Sequence, residues 1–335
     1  MMLHILDFLK GIAILWVVAV HFNGYWSTSS LVGSVASLGS SMPHLFFIIS
    51  AYLTWRSLEH RGLNNLYGFW KKRYLRLAPM LYIACILVVS LVLLGLLNDK
   101  NVTVGNVITH LLMCNGLFPH YTNTILYVEW YVAVLVIFYL LVPLLWKYVR
   151  SLKSAFIGLL LSMLASALYF YIGNHYFAGV LANDQFLNTY FQAFCIIVNL
   201  PTFFLGILLY YLTGEEKNVW LYAAGGLLFL YLINISIAPF ETKVFVSSKV
   251  LVFTLLTWIG ICKLPNLKVP LINYLGKQSY GIYLFHMTIV KVFSRMGVSK
   301  FDSTFLWFLV FIVVVLLSVC LTYLSDKYIV KKVTN

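Results

Sequence analysis

DFLKGIAILWVVAVHFNGYW, residues 7–26, is long enough to cross a membrane as one helix, yet it carries Lys10 and His21. Ionisable residues inside a membrane helix are costly and mark function by default. The two are eleven residues apart, which at about 100° per residue is roughly three full turns. They therefore share one face, about 16 Å apart along the axis. A cation near one surface and a titratable base about halfway through the hydrocarbon lie on a single stripe. Asp7, three residues before Lys10, stands where it can pair with it.

The rest of the chain has the same character. Hydrophobic residues make up 62% of the 335 positions, charged residues only 10%, and the mean hydropathy is +0.91. Those values exclude an ordinary soluble domain and indicate an all-α polytopic membrane bundle. The first segment is too long for a signal peptide and lacks a small-residue cleavage site, so it is expected to remain as a span. The cysteines Cys85, Cys114, Cys195, Cys262 and Cys320 are scattered without metal-type spacing, and no metal site is expected. The net charge of +13 reads as positive-inside loops rather than as a nucleic-acid surface.

Apolar runs of about 20 residues divide the chain into ten candidate helices. They lie near 8–26, 35–57, 77–97, 125–147, 154–173, 191–213, 219–237, 247–262, 270–293 and 304–325. The eighth is short. With the N-terminus inside, fifteen of the 23 lysines and arginines fall in inner loops and six in outer segments. Lys10 and Lys277 are set aside because they lie at or within helix ends. The imbalance predicts both termini in the cytoplasm. The outer segment 98–124 leaves room for a short interfacial helix over 104–114. No appended soluble domain is expected, so residues 1–335 read as a single membrane domain.

Further polar groups interrupt the apolar pattern. In the inner loop 56–76, Arg73 and Arg76 are three residues apart, and Lys72 adjoins them. Two guanidinium groups on one helical face suit phosphate, although a basic loop beside anionic lipid has the same composition. Ser279, Tyr283 and His286, spaced i, i+4 and i+7, form a polar stripe on an otherwise apolar helix. Glu129 is the acidic residue near the outer end of the fourth segment. It has the chemistry to orient a histidine or hold a sugar hydroxyl, or simply to be solvated at the interface. His21, away from water, has the chemistry of a general base. It equally fits interhelical packing, and Lys10 fits an anchor that snorkels to the headgroups.

Taken together and in order, these stretches resemble the acyltransferase-3 family of bacterial integral-membrane acyltransferases. Residues 6–22, LDFLKGIAILWVVAVHF, resemble its opening motif. Residues 45–53, LFFIISAYL, resemble its second-helix signature, with Ala51 in place of the usual glycine. Residues 73–79, RYLRLAP, resemble its Arg-x-x-Arg motif, and residues 275–286, LGKQSYGIYLFH, its late-helix motif. Glu129 falls where many members carry an acid. Lys10 departs from the commoner arginine, keeping the charge but not the planar fork.

The resemblance implies a bundle of about ten spans enclosing a polar cavity. It implies transfer of an acyl group, most often acetyl, from cytoplasmic acyl-CoA to a hydroxyl of a cell-surface glycan or lipid-linked saccharide, in the bacterial inner membrane. Arg73, Arg76 and Lys72 would hold the CoA phosphates, and Lys10 would position the donor. His21 would act as general base or, alternatively, take the acyl group itself. Glu129 and His286 would orient His21 or the sugar. Two other readings use the same residues. A proton-coupled transporter would also place Lys, His and Glu inside a bundle, and a lipid- or sugar-binding scaffold would need none of them for chemistry.

Overall fold

Gly11 and Gly276 set the approach of the two helices that carry the site. The computed structural model of the chain describes residues 3–26, 30–213, 248–297 and 304–334. Helix α1 runs His4–Tyr25, followed by α2 Ser30–Ser37, α3 Met42–Arg61, α4 Leu66–Leu93, α5 Val104–Leu111, α6 Trp130–Tyr148 and α7 Leu152–Tyr176. Short helices α8 Ala178–Asn183 and α9 Gln185–Thr189 precede α10 Ile196–Leu212. Then come α11 Ser248–Lys263, α12 Pro270–Arg295, α13 Thr304–Ser325 and the short α14 Lys331–Thr334. The expected segments recur as helices except 219–237, which lies outside the described residues. A helix, α5, stands within the stretch 104–114 where a short one is expected.

The fold is a helical membrane bundle. Among the described residues, seven stretches are long and apolar enough to cross a membrane: His4–Tyr25, Leu31–Arg61, Leu66–Leu93, Trp130–Tyr148, Leu152–Tyr176, Gln185–Leu212 and Thr304–Val330. These seven do not confirm the expected count of about ten, of which the segment 219–237 lies outside the described residues. α11 has 16 residues, about 24 Å of helix against a hydrocarbon core of about 30 Å. α12 has the length, at 26 residues, but carries the polar stripe and three basic residues.

The chain divides into two compact units. One comprises Met1–Leu6, His44–Phe69 and Val134–Asn266. Its core is aromatic: Phe138 stacks on Phe203 at 3.9 Å between ring centroids, and Phe47 closes on the same ring at 4.7 Å. Ala51, where the resembling motif has glycine, packs against Gly206, so the small residue needed at that crossing is supplied from the facing helix. Trp55 Nε1 and the Tyr211 hydroxyl both donate to the Val149 carbonyl, at 3.2 and 2.9 Å, at the end of α6. Ser151 then starts α7 with a capping box formed with Ser154.

The other unit comprises Asp7–Pro43, Trp70–Ala133 and Leu267–Asn335, and holds every candidate catalytic residue. Pro270 opens α12, where its missing N–H costs nothing. A Cβ on Gly276 would run into the Asp7 carbonyl, and one on Gly11 into the Ile272 carbonyl. Two glycines thus let the backbones of α1 and α12 touch, the small-residue packing that membrane helices use in place of a hydrophobic driving force. Gly11 to His21 and Gly276 to His286 are both ten residues, about 15 Å of helix. The two helices run in the same direction from this contact, so their histidines arrive level. We expect Gly11→Ala and Gly276→Ala each to destabilise the protein by about 1–3 kcal/mol through overpacking. Thermal unfolding in detergent would show it, and wild-type stability in both variants would contradict the contact.

Candidate functional site

The meeting of His21 and His286 is the centre of the site. His21 Nδ1 lies 2.9 Å from His286 Nε2, and the rings face each other with centroids 5.1 Å apart. His286 is completely buried, whereas His21 is partly exposed. His286 Nδ1 donates to the Ile282 carbonyl at 3.1 Å, one turn back on its own helix. Tyr283, on the same stripe, donates its hydroxyl to the Val128 carbonyl at 2.6 Å. Its ring lies edge-on to Tyr131. The i, i+4, i+7 stripe of α12 therefore faces polar partners, and Ser279 is buried with it.

At the other end of the same helices, Lys10 Nζ pairs with Asp7 at 2.7 Å, with both side chains about one-sixth exposed (16% and 17%). Arg76 and Lys277 are the neighbouring cations whose charge reaches Lys10. Cations from α4 and α12 thus lie within electrostatic reach of Lys10 on α1, which Asp7 contacts. Lys72 and Arg76 are exposed and Arg73 is partly exposed. Lys277 was missed in the sequence because it sits near a helix start, where a lysine reads as an anchor. Its signal was the adjacent Gly276, which forces this turn of α12 against α1.

Glu129 is neither solvated nor turned to His21. It is 1% exposed, and one carboxylate oxygen accepts from Thr124 N at 2.6 Å, Ile125 N at 2.8 Å and His110 Nε2 at 3.0 Å. The other accepts from Val128 N at 3.0 Å. His110 Nδ1 faces the Asn106 carbonyl at 2.8 Å, so both its nitrogens face acceptors, the pattern of an imidazolium–carboxylate pair. This staple holds a loop with three non-glycine residues at positive φ: Met113 (54°), Asn123 (61°) and Tyr127 (65°). A left-handed tyrosine is sterically costly and persists where the surroundings over-determine it. Lys291 Nζ sits over the Tyr127 ring, 3.0 Å from its centroid, and pairs with Asp99 at 3.1 Å. His110 lies 19 residues from Glu129 across an irregular loop, so no periodicity announced it.

Residues 3–325 match the family described as Acyltransferase domain. The chain belongs to the acyltransferase-3 family. Relatives include proteins named "Putative O-acetyltransferase" from Staphylococcus aureus strains COL and MSSA476. Each is 26% identical over 330 residues, covering 85% of this chain and 50% of the relative. Another is the "Putative acetyltransferase ORF330" of Acidianus two-tailed virus, 26% identical over 305 residues, with 87% of this chain and 84% of that protein covered. This acyltransferase-3 chain spans about half the length of the staphylococcal relatives. No solved structure matches it.

The Glu129 staple makes a pH-dependent contribution to stability. Burial alone would raise the Glu129 pKa, but the His110 hydrogen bond, the His110 charge and the backbone amides together hold it below the ordinary 4.5. Folding therefore favours the ionised carboxylate. Its stabilisation is present above about pH 4.5 and is lost as pH falls through the depressed folded value. Glu129→Ala, which leaves His110 buried and unpaired, should cost about 3–5 kcal/mol at pH 7. The gap to wild type should narrow on acidification below pH 4.5. A gap that stays constant between pH 7 and pH 3, measured by unfolding in detergent, would contradict the assignment.

Proposed function

We propose that this chain is a membrane O-acyltransferase that moves an acyl group, acetyl first among them, from cytoplasmic acyl-CoA to a hydroxyl of a cell-surface glycan or lipid-linked saccharide. The observation that carries the proposal is the His21–His286 pair set deep on the same two helices whose inner ends gather Lys10, Arg76 and Lys277. A polyanionic donor with a reactive end needs those two features at a separation. Along α1 they are about 16 Å apart, a distance that the extended pantetheine arm of CoA covers.

In this reading Arg73 and Arg76, with Lys72 beside them, hold the CoA phosphates at the cytoplasmic mouth. Lys10 and Lys277 add positive potential where the arm enters the bundle. His21 takes the proton of the acceptor hydroxyl as its oxygen attacks the thioester carbonyl. The tetrahedral intermediate then collapses, the carbon–sulfur bond breaks, and His21 returns the proton to the leaving thiolate, giving free CoA and the O-acyl ester. Glu129 acts at one remove. It holds the outer loop that receives the Tyr283 hydroxyl one turn from His286. The acceptor enters from the outer side, and the chain sits in the bacterial inner membrane with both termini in the cytoplasm, the orientation that the fifteen-to-six loop charges favour.

Transfer of labelled acetyl from acetyl-CoA to glycan in membranes tests the reading. His21→Gln should lower the rate by roughly 10²–10⁴-fold while expression and acetyl-CoA binding persist. Transfer by that variant within a few-fold of wild type would remove His21 from the base role. For the donor site, Arg73→Ala and Arg76→Ala should each weaken acetyl-CoA binding, and lysine at either position should restore it only in part. Unchanged affinity in both alanine variants, measured by calorimetry, would place the phosphates elsewhere.

A further inference from the structure

We infer that His286 is a positioning residue: it accepts the Nδ1–H of His21 and so fixes His21 in the tautomer whose Nε2 is a bare lone pair. The purpose of this device rests on the acyl-transfer reading. The proton placement rests on the hydrogen bonds alone.

A neutral imidazole carries one N–H, and its position follows from the bond each nitrogen makes. The Ile282 carbonyl can only accept, so His286 Nδ1, 3.1 Å away, holds the proton of that ring. His286 Nε2 is then bare. His21 Nδ1 stands 2.9 Å from it, and two lone pairs do not meet at that distance, so His21 Nδ1 carries the proton of the second ring. That contact puts the His21 proton on Nδ1 and leaves Nε2 without one.

The reverse arrangement would require His286 to be protonated on both nitrogens. That would put a cation at a completely buried position with no carboxylate against either ring among the described residues. Glu129, an acid with the chemistry to orient a histidine, is occupied by His110 and three backbone amides.

The arrangement suits proton transfer. When Nε2 of His21 takes the hydroxyl proton, the ring becomes an imidazolium whose Nδ1–H is already directed at a neutral acceptor. That hydrogen bond strengthens as charge develops, and no second proton has to move. In water the other tautomer, with Nε2 protonated, is the commoner form of a histidine side chain. Without His286, part of the His21 population would present an N–H where the base must be.

The test is nitrogen-15 magnetic resonance of the full chain in lipid nanodiscs, labelled at histidine, with the His21 signals assigned from their absence in His21→Asn. Wild type should show His21 protonated at Nδ1 and bare at Nε2. His286→Gln, whose amide oxygen can accept at the place of Nε2, should keep that pattern, and His286→Phe should shift His21 toward the Nε2–H form. In parallel, His286→Phe should lose roughly 10²–10⁴-fold in kcat with the KM for acetyl-CoA within a few-fold, and His286→Gln should recover most of that loss. A wild-type His21 protonated at Nε2, or a His21 tautomer unmoved by His286→Phe, would overturn the inference. A correct tautomer in a wild-type protein that transfers no acyl group would leave the inference standing and overturn the function instead.

Discussion

The backbone contact between Gly11 and the start of α12 is the constraint on which the site depends. Two helices with side chains at that crossing would stand further apart, and neither His21 nor His286 reaches across such a gap. With glycine at both positions the helices touch near their N-terminal ends, and equal ten-residue rises bring the two histidines level. The same contact brings Lys277 beside Lys10, because the residue after Gly276 must emerge next to the turn that holds Asp7 and Lys10. One packing decision therefore places both the cationic end and the basic nitrogen.

Three charged groups of this unit meet an oppositely charged or protonatable partner, as charge inside a membrane protein requires. Asp7 neutralises Lys10, Asp99 neutralises Lys291, and Glu129 pairs with His110. The His21–His286 pair is the exception in kind: two bases share one hydrogen bond, with no acid against them among the described residues. That leaves a lone pair at the partly exposed member, which is what a proton acceptor requires. The strained loop at 113–127 belongs to the same economy. Its left-handed residues persist because a single carboxylate gathers three amides and a histidine, and Tyr283 fastens the loop to the helix of His286.

Much of this was legible in the chain. The membrane class, the helical segments and the pairing of Asp7 with Lys10 follow from hydropathy and from i, i+3 spacing, which act over one or two turns. The polar stripe of Ser279, Tyr283 and His286 was visible for the same reason. Partners across the fold were not. Glu129 looked free to orient His21 because a sequence shows an acid and not the three amides that occupy it. His110 and Lys277 escaped notice because their roles depend on a loop closure and a glycine crossing. The repeat of ten residues between glycine and histidine in both helices was present in the sequence, but it acquires meaning only when the glycines are known to touch.

The central claim is that the donor's acyl carbon is delivered to the His21–His286 pair from the Lys10, Arg76 and Lys277 end of the bundle. Cryo-electron microscopy of the full chain with a non-hydrolysable acetyl-CoA analogue tests it most directly. The account predicts phosphates at Arg73 and Arg76, the arm passing Lys10, and the acyl carbonyl beside Nε2 of His21. An acyl group resting away from His21, with the histidine pair sealed from the bound donor, would contradict it.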